Sequence, residues 1–593
     1  MVAINTKVFG GMIPAVDDHL LPPEAAAHAA NAWLYSGKII GLPASKLVRT
    51  GVLASLGRTY RIPNDYSDAA YMFNSHWMEF TNPEVDVLRS SVHDDTFERH
   101  YWVSTTLSPR YNTLARILAG NPEYLLGIPV PGAISVAATG GVSAITVSRA
   151  YVVTWVSAYG EEGAPCTPFL LTAKQDDTWT VTLPTPAAGD LGTNRNLTRA
   201  FIYRTVTSST GIATYFFVAD VPIATATYAD TLTDTVVTSK EQLESQTWTP
   251  PPSDLEGWIM MPNGIIAAWR NNELWFSEPY RPHAWPAAYV LTTEYPIVGL
   301  GIINQTLVVG TQGYPLTAHG TNPAYMTTTK LTAHEPCISR SSIVSAPEGV
   351  YYSSPNGLIL VVPGRAENVT RDVITKDVWA SITEGTKLRA ARLGTGYFAY
   401  GSVAPRVFQE NAFQTDAFAQ ENFVGAYNGV LIDPQNKQVA MVRLESATAI
   451  QNVFNDPWSG DVFIIKNDDV YWLDMGDQTP TYEPATWRSK IFQTADKGNI
   501  GAMRVYFSIP ATTPAQNPTR NTAAEQTLAA DQYGLVRVWA DGRLIMTREL
   551  RTSGELWKLP SGFKADYFQF EIEARVRIIS AQVASTAKEL VSV

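Results

Sequence analysis

The chain has 593 residues, 45% of them hydrophobic and only 17% charged, with 44 Lys and Arg against 55 Asp and Glu for a net charge of −11. That length predicts about four domains. With 40 Gly, 38 Pro and 64 aromatic residues, the balance excludes a disordered chain, a coiled coil and a collagen-like repeat, and points to a mainly-β chain with a large core. Lys and Arg are scattered singly, which argues against a sequence-specific nucleic-acid binder.

The first sixteen residues lack a basic start followed by a long apolar run, so no cleaved signal peptide is expected, and no stretch of 18 apolar residues predicts a membrane-spanning helix. Cys166 and Cys337 stand far apart and do not form a disulfide framework. Pro22 to Leu34 reads as a helix, with prolines at its start, Glu24 in the first turn, a run of alanines, and Gly37 beyond its end. Its Ala-rich, low-charge face, with Ala26, Ala29, Ala30 and Trp33, is expected at a subunit interface. A second short helix is expected over Tyr111 to Leu118, closed by Gly120.

Residues 1–58 read as an N-terminal interface segment and 59–132 as the first part of a propeller-like body. Gly127 to Gly132 marks a boundary. Residues 133–248 carry strands at the cadence of a small β-sandwich, and Thr249 to Pro252 reads as its exit linker. Residues 249–490 repeat short paired strands around turns such as Asn271–Asn272, Pro347 to Gly349 and Asn467 to Asp469. The irregular 40–50 residue spacing is that of propeller blades. Residues 491–593 hold further strands, with a hairpin around Asp541–Gly542 and an exposed polar loop over Ala511 to Ala530.

Chemical motifs are scarce. There is no phosphate loop, no nucleophile elbow and no zinc spacing. Adjacent acids such as Asp94–Asp95, Glu161–Glu162, Asp176–Asp177 and Asp468–Asp469 point to opposite faces of a strand and cannot alone form a glycosidase dyad. The segment Glu278 to Pro286 reads either as a carbohydrate-stacking platform or as a proline-pinned loop whose Trp285 plugs a core, and the second reading is preferred. No catalytic residue, metal ligand or cofactor is expected.

Several segments together resemble one family. They are Gly10–Gly11 to Pro14, Leu21–Pro22 and Asn31 to Leu34, then Val85 to Val87, Asp94 to Trp102 and Tyr124 to Pro131. Tyr151 to Pro165, Ser277 to Pro286, Tyr351 to Val361 and Trp487 to Lys490 follow. They resemble, in order, the tail nozzle or tail tubular proteins of short-tailed bacteriophages, hub-like virion structural proteins. The resemblance implies a β-propeller-like body with an inserted fibronectin-like sandwich and a C-terminal β domain. It implies a non-enzymatic tail protein of the virion, commonly a homohexameric ring below the head–tail adaptor. Such a ring conducts double-stranded DNA during genome ejection and docks tail fibres or tailspikes. A conduit must not bind its cargo, so the bore is expected to be acidic or neutral. Candidate lining acids are Asp456, Asp461, Asp468 and Asp469. The alternative is a carbohydrate-binding or depolymerising β-propeller acting on host surface polysaccharide.

Overall fold

The computed structural model describes residues 3–63, 72–206, 214–383, 388–401, 427–434, 440–476, 481–508, 533–560 and 564–591. With 49% strand and 8% helix, the chain is mainly β. It separates into two compact units, one spanning Glu84–Leu331 and the other combining the residues up to Pro83 with those from Thr332 onward.

In the contiguous unit, three antiparallel sheets each run through four sequential neighbours, the meander of a propeller blade. The first contains Asp86–Arg89, His100–Ser104, Leu107–Asn112 and Tyr124–Leu125. The second contains Glu256–Met260, Ile266–Arg270, Glu273–Phe276 and Leu291–Thr292. The third contains Ile297–Ile303, Thr306–Thr311, Leu316–His319 and Thr327–Lys330. Asn271–Asn272 is a two-residue hairpin loop between the paired Arg270 and Glu273, and Asn271 sits at φ 53°, where Asn is tolerated. Ile266 and Ala268 enter one core with Trp258, Trp275 and Trp285, whereas Ala267 and Trp269 enter another with Leu274, Leu307 and Val309. Period-2 alternation therefore seats the strand Ile266–Arg270 between two apolar layers.

The sandwich lies within this unit. One sheet orders Ser135–Thr139, Thr178–Thr182 and Thr227–Asp230. The other orders Phe169–Lys174, Thr146–Ser157, Leu197–Thr205 and Tyr215–Pro222. Val136, Trp179 and Val181 of the first share a core with Tyr151, Val153, Trp155 and Ile202 of the second. The chain's entry and exit meet: a Cβ added at Gly127 would lie 2.5 Å from Pro251. The expected helix at Tyr111 is shorter, Leu114–Leu118, with the Thr113 side chain capping Arg116 N. Tyr111 stays in the preceding strand, paired with Tyr101.

The other unit has further four-stranded sheets. Val344–Ala346, Gly349–Ser354, Gly357–Val362 and Arg365–Asn368 follow one another. Ile450–Asn455, Val462–Lys466 and Asp469–Leu473 are completed by Lys46–Arg49 from the start of the chain. A ten-stranded sheet takes Ala26–Ala30 between Met441–Ser446 and Ala485–Ser489, and continues through Ala565–Ala574 and the hairpin Gly534–Ala540/Arg543–Glu549. Ala3–Thr6 pairs with Arg577–Ala584.

Two expectations are corrected here. Residues 22–34 form no helix; they contain the strands Ala26–Ala30 and Ala32–Trp33. Alanine's helical preference is worth only tenths of a kcal/mol per residue over most alternatives. Pairing on both flanks with Arg443 and with Ser489 to Thr486 satisfies the backbone instead. Residues 491–593 do not form a separate domain, because Ala565–Ala574 pairs with Ala485–Ser489 across that boundary. The strands of residues 1–58 complete sheets built from the later part of the chain. The polar loop expected over 511–530 lies outside the described residues.

Candidate assembly surface

Gly10 and Gly11 thread the start of the chain between other backbones. Gly10 N donates to Glu24 O at 2.7 Å and Met12 N to Met441 O at 2.7 Å. A Cβ at Gly11 would lie 2.8 Å from the Met441 carbonyl oxygen, so only glycine fits. Phe9 packs edge-on against Trp487 at 4.9 Å, and Trp487 Nε1 donates to Gly10 O at 2.9 Å.

This anchoring shapes a cleft of about 300 Å³ walled by Val8, Phe9, Ile13, Leu34, Tyr35 and Ala440. Beside it, Trp33 and Tyr35 stack at 6.2 Å with 28° between their planes. Tyr35 is 65% exposed and Val8 56%. The cleft is open, its lining is part apolar and part polar with Glu24 among its walls, and Tyr35 stands at its edge, a mixed surface that suits contact with another protein.

Of the four expected interface residues, only Trp33 reaches this surface. Ala26, Ala29 and Ala30 are buried in the core of the ten-stranded sheet. They are structural: their strand is paired with Met441–Ser446 on one flank and with Ala485–Ser489 on the other. Sequence reasoning missed Val8 and Tyr35. Tyr35 lies in the turn after the strand Ala32–Trp33, where a lone aromatic carries no period-2 signal.

The four expected channel acids do not gather. Asp456 and Asp461 flank the loop after Ile450–Asn455, whereas Asp468 and Asp469 lie at the next turn, at the other end of that sheet. Asp456 is buried in an ion pair with Arg61, whose side chain is also fully buried, and accepts from Ser459 Oγ at 2.8 Å. Asp468 accepts from Leu56 N at 2.9 Å. Its hydrogen bonds from Gln451 and from the Ser55 and Leu56 backbone hold its carboxyl below the usual range. Asp469 accepts from Gly51 N at 3.2 Å. Asp456, Asp468 and Asp469 thus tie elements of the fold together, and Asp461 is half-buried at its turn. They do not form a shared lining.

In the other unit, Trp285 of the segment Glu278 to Pro286 is fully buried, stacks on Trp258 at 6.2 Å, and donates from Nε1 to Pro282 O at 2.8 Å. It is the core plug that the prolines suggested. His283 is buried edge-on to Trp248, and burial pushes its pKa down. Cys166 and Cys337 are buried thiols, and burial raises that of Cys337 to about 12. Among the described residues no group of three His, Cys, Asp or Glu is placed to hold a metal ion.

No protein-family model matches the sequence, and no curated protein does. Among solved structures, the chain is similar to the β-propeller domain of Cps50 (Swd1) from Myceliophteria thermophila. Identity is 8%, coverage is 46% of this chain and 92% of that one, and the TM-score is 0.22. It is also similar to the N-terminal domain of Nup159 at 11% identity, covering 46% of this chain and 85% of that one, with a TM-score of 0.20. Scores of this size do not separate a shared fold from shared strand content.

Proposed function

We propose that the chain is a non-enzymatic structural protein of a short-tailed bacteriophage tail. In this reading it assembles with further copies of itself, as a hexamer, on a head–tail adaptor. The ring conducts DNA without retaining it and carries fibres or spikes on its exterior. The ordered motifs from Gly10–Gly11 to Trp487–Lys490 support the family reading. The observation that carries assembly is the cleft beside the stacked Trp33–Tyr35 pair, with Val8 and Tyr35 exposed in a segment whose neighbours Phe9, Gly11 and Ala32 are buried. An exposed apolar rim on a firmly anchored segment is suited to a subunit contact.

The test is particle mass by mass photometry, with and without the adaptor from the same virion. The wild-type chain is expected to form rings on the adaptor. Val8→Asp and Tyr35→Glu should keep the wild-type melting temperature and fail to form them. A wild-type chain that stays monomeric with adaptor present, or variants that assemble normally, would overturn this reading.

A further inference from the structure

Two openings adjoin at the threaded N-terminal segment. The cleft of about 300 Å³ is joined by a smaller pocket of about 50 Å³, and Gly11, Leu34, Tyr35 and Ala440 wall both. Among the described residues each opening carries one charged side chain, and both are acids: Glu24 in the cleft and Asp433 in the pocket. Glu24 is half-buried, and its carboxylate has no hydrogen bond or ion pair among the described residues. Asp433 Oδ1 accepts from the neutral Thr395 Oγ1 at 3.3 Å. Lys7 and Lys38 are close in sequence, but neither lines either opening. A carboxylate in each opening, with the exposed Tyr35 ring shared by both, calls for a cation. A guanidinium meets that call best, since it stacks on a phenol while its N–H groups reach an acid.

The complementary surface belongs to the ten-stranded sheet, which ends on one side in Leu388–Leu393 and on the other in Arg543–Glu549. The first edge is closed by a side chain. Asn455 Oδ1 accepts from Arg392 N at 2.7 Å, and Asn455 Nδ2 donates to Arg392 O at 2.8 Å, so an amide stands in for a neighbouring strand. The second edge has no backbone partner beyond Gly534–Ala540 among the described residues. Such an edge offers a row of N–H and C=O groups to another chain. A hollow of about 510 Å³ runs beside it, walled by Arg543, Leu544, Pro560 and Lys564, and Leu544 is 48% exposed. Arg543 and Arg548 stand opposite Ala540 and Val536, because the bulge at Ile545 brings both arginines to one face of the strand. Arg543, Arg548 and Lys564 are exposed and have no ion pair among the described residues. Asp541, the acid at this hollow, is occupied by the Asp566 and Tyr567 amides at 3.0 and 2.9 Å.

We propose that the Arg543–Glu549 edge of one copy docks in the Glu24–Asp433 groove of the next, with a guanidinium of the strand against the Tyr35 ring. This rests on the assembly reading and names the contact that closes its ring. Like charge keeps each surface from pairing with its own twin, so a two-fold dimer through either is disfavoured. Opposite charge on two different surfaces of one chain gives a head-to-tail contact, which repeats around an axis until it closes. The groove supplies the acids and the stacking ring, and the next copy's edge supplies the cations that the groove lacks.

The test measures the particle mass of full-length chains on the adaptor. A groove-reversed chain carries Glu24→Lys and Asp433→Asn, and an edge-reversed chain carries Arg543→Glu and Arg548→Glu. Each alone should give about tenfold fewer rings than the wild type, because like charges then face each other across the contact. An equimolar mixture should restore the rings, since each reversed surface meets its opposite on the other chain. Melting temperatures within ~3 °C of wild type show that the variants fold. Glu24→Lys and Arg543→Glu as single changes in separate chains repeat the test where the paired changes cost more. Normal rings from the edge-reversed chain overturn the proposal and leave the arginines as guards against stray strand pairing. If the groove-reversed chain alone then fails, the groove takes a basic segment of the adaptor instead. Failure of both chains without rescue on mixing also overturns the proposal. Each of these results leaves the assembly reading standing, whereas a wild-type chain that forms no rings overturns both.

Discussion

Arg61 and Asp456 face each other with no more than 1% of either side chain exposed. Removing one partner strands a charge in the interior. Asp456→Ala is therefore expected to cost about 3–5 kcal/mol, whereas the double change Arg61→Met, Asp456→Leu should recover most of that loss. Denaturant midpoints of the two variants check this; equal losses would show that the pair acts through packing alone. Buried histidines give a second prediction. Burial, reinforced for His28 by Arg443 and Arg488, holds His28 and His100 down at about 4. Both folded values lie below the unfolded value of about 6.5, so the neutral rings stabilise the fold above that pH. This stability is lost progressively as pH falls from about 6.5 towards 4, by up to about 3 kcal/mol per ring. His28→Gln should flatten the slope of stability against pH in that window, measured by denaturant unfolding; an unchanged slope would remove His28 from the account.

At the scale of elements, the strand Ala26–Ala30 is the instructive case. Ala29 is fully buried in its core, so Ala29→Arg is expected to abolish folding of that unit through an unpaired buried charge, a cost of several kcal/mol. A native melting temperature for that variant, by calorimetry, would contradict the strand's placement. Turns were legible in advance because their signals are local. Asn467–Asp468 and Asp541–Gly542 both sit at positive φ within two-residue hairpin loops. Trp285 was legible as a core plug from the prolines around it. The partners of Ala26–Ala30 were not, because they lie in Met441–Ser446 and Ala485–Ser489, far along the chain, and nothing local in an alanine run announces them. The acids failed for the same reason: Arg61 is 395 positions from Asp456. Trp33 was an expected interface residue from its sequence and stands beside the candidate contact surface, whereas Val8 became visible only once Gly10 and Gly11 had fixed the path of the chain.

At the scale of the whole molecule, one unit is continuous in sequence and the other is made from both ends. Residues 84–331 hold their own sheets and cores. Expressed alone, they are expected to give cooperative unfolding and dispersed amide resonances; a collapsed spectrum without dispersion would refute their independence.

The pairing of Ala3–Thr6 with Arg577–Ala584, and of Ala26–Ala30 with Ala485–Ser489, sets an order of events on the ribosome. Segment 84–331 can close while the rest of the chain is still being made. The strands ahead of it cannot. At ~5–20 residues per second, the later half takes roughly 13–50 s to emerge. Throughout that interval an apolar, alanine-rich strand waits without its neighbours. Cell yield should therefore depend on holdase chaperones acting on the nascent N-terminus, and on translation speed past residue 332, more than on equilibrium stability.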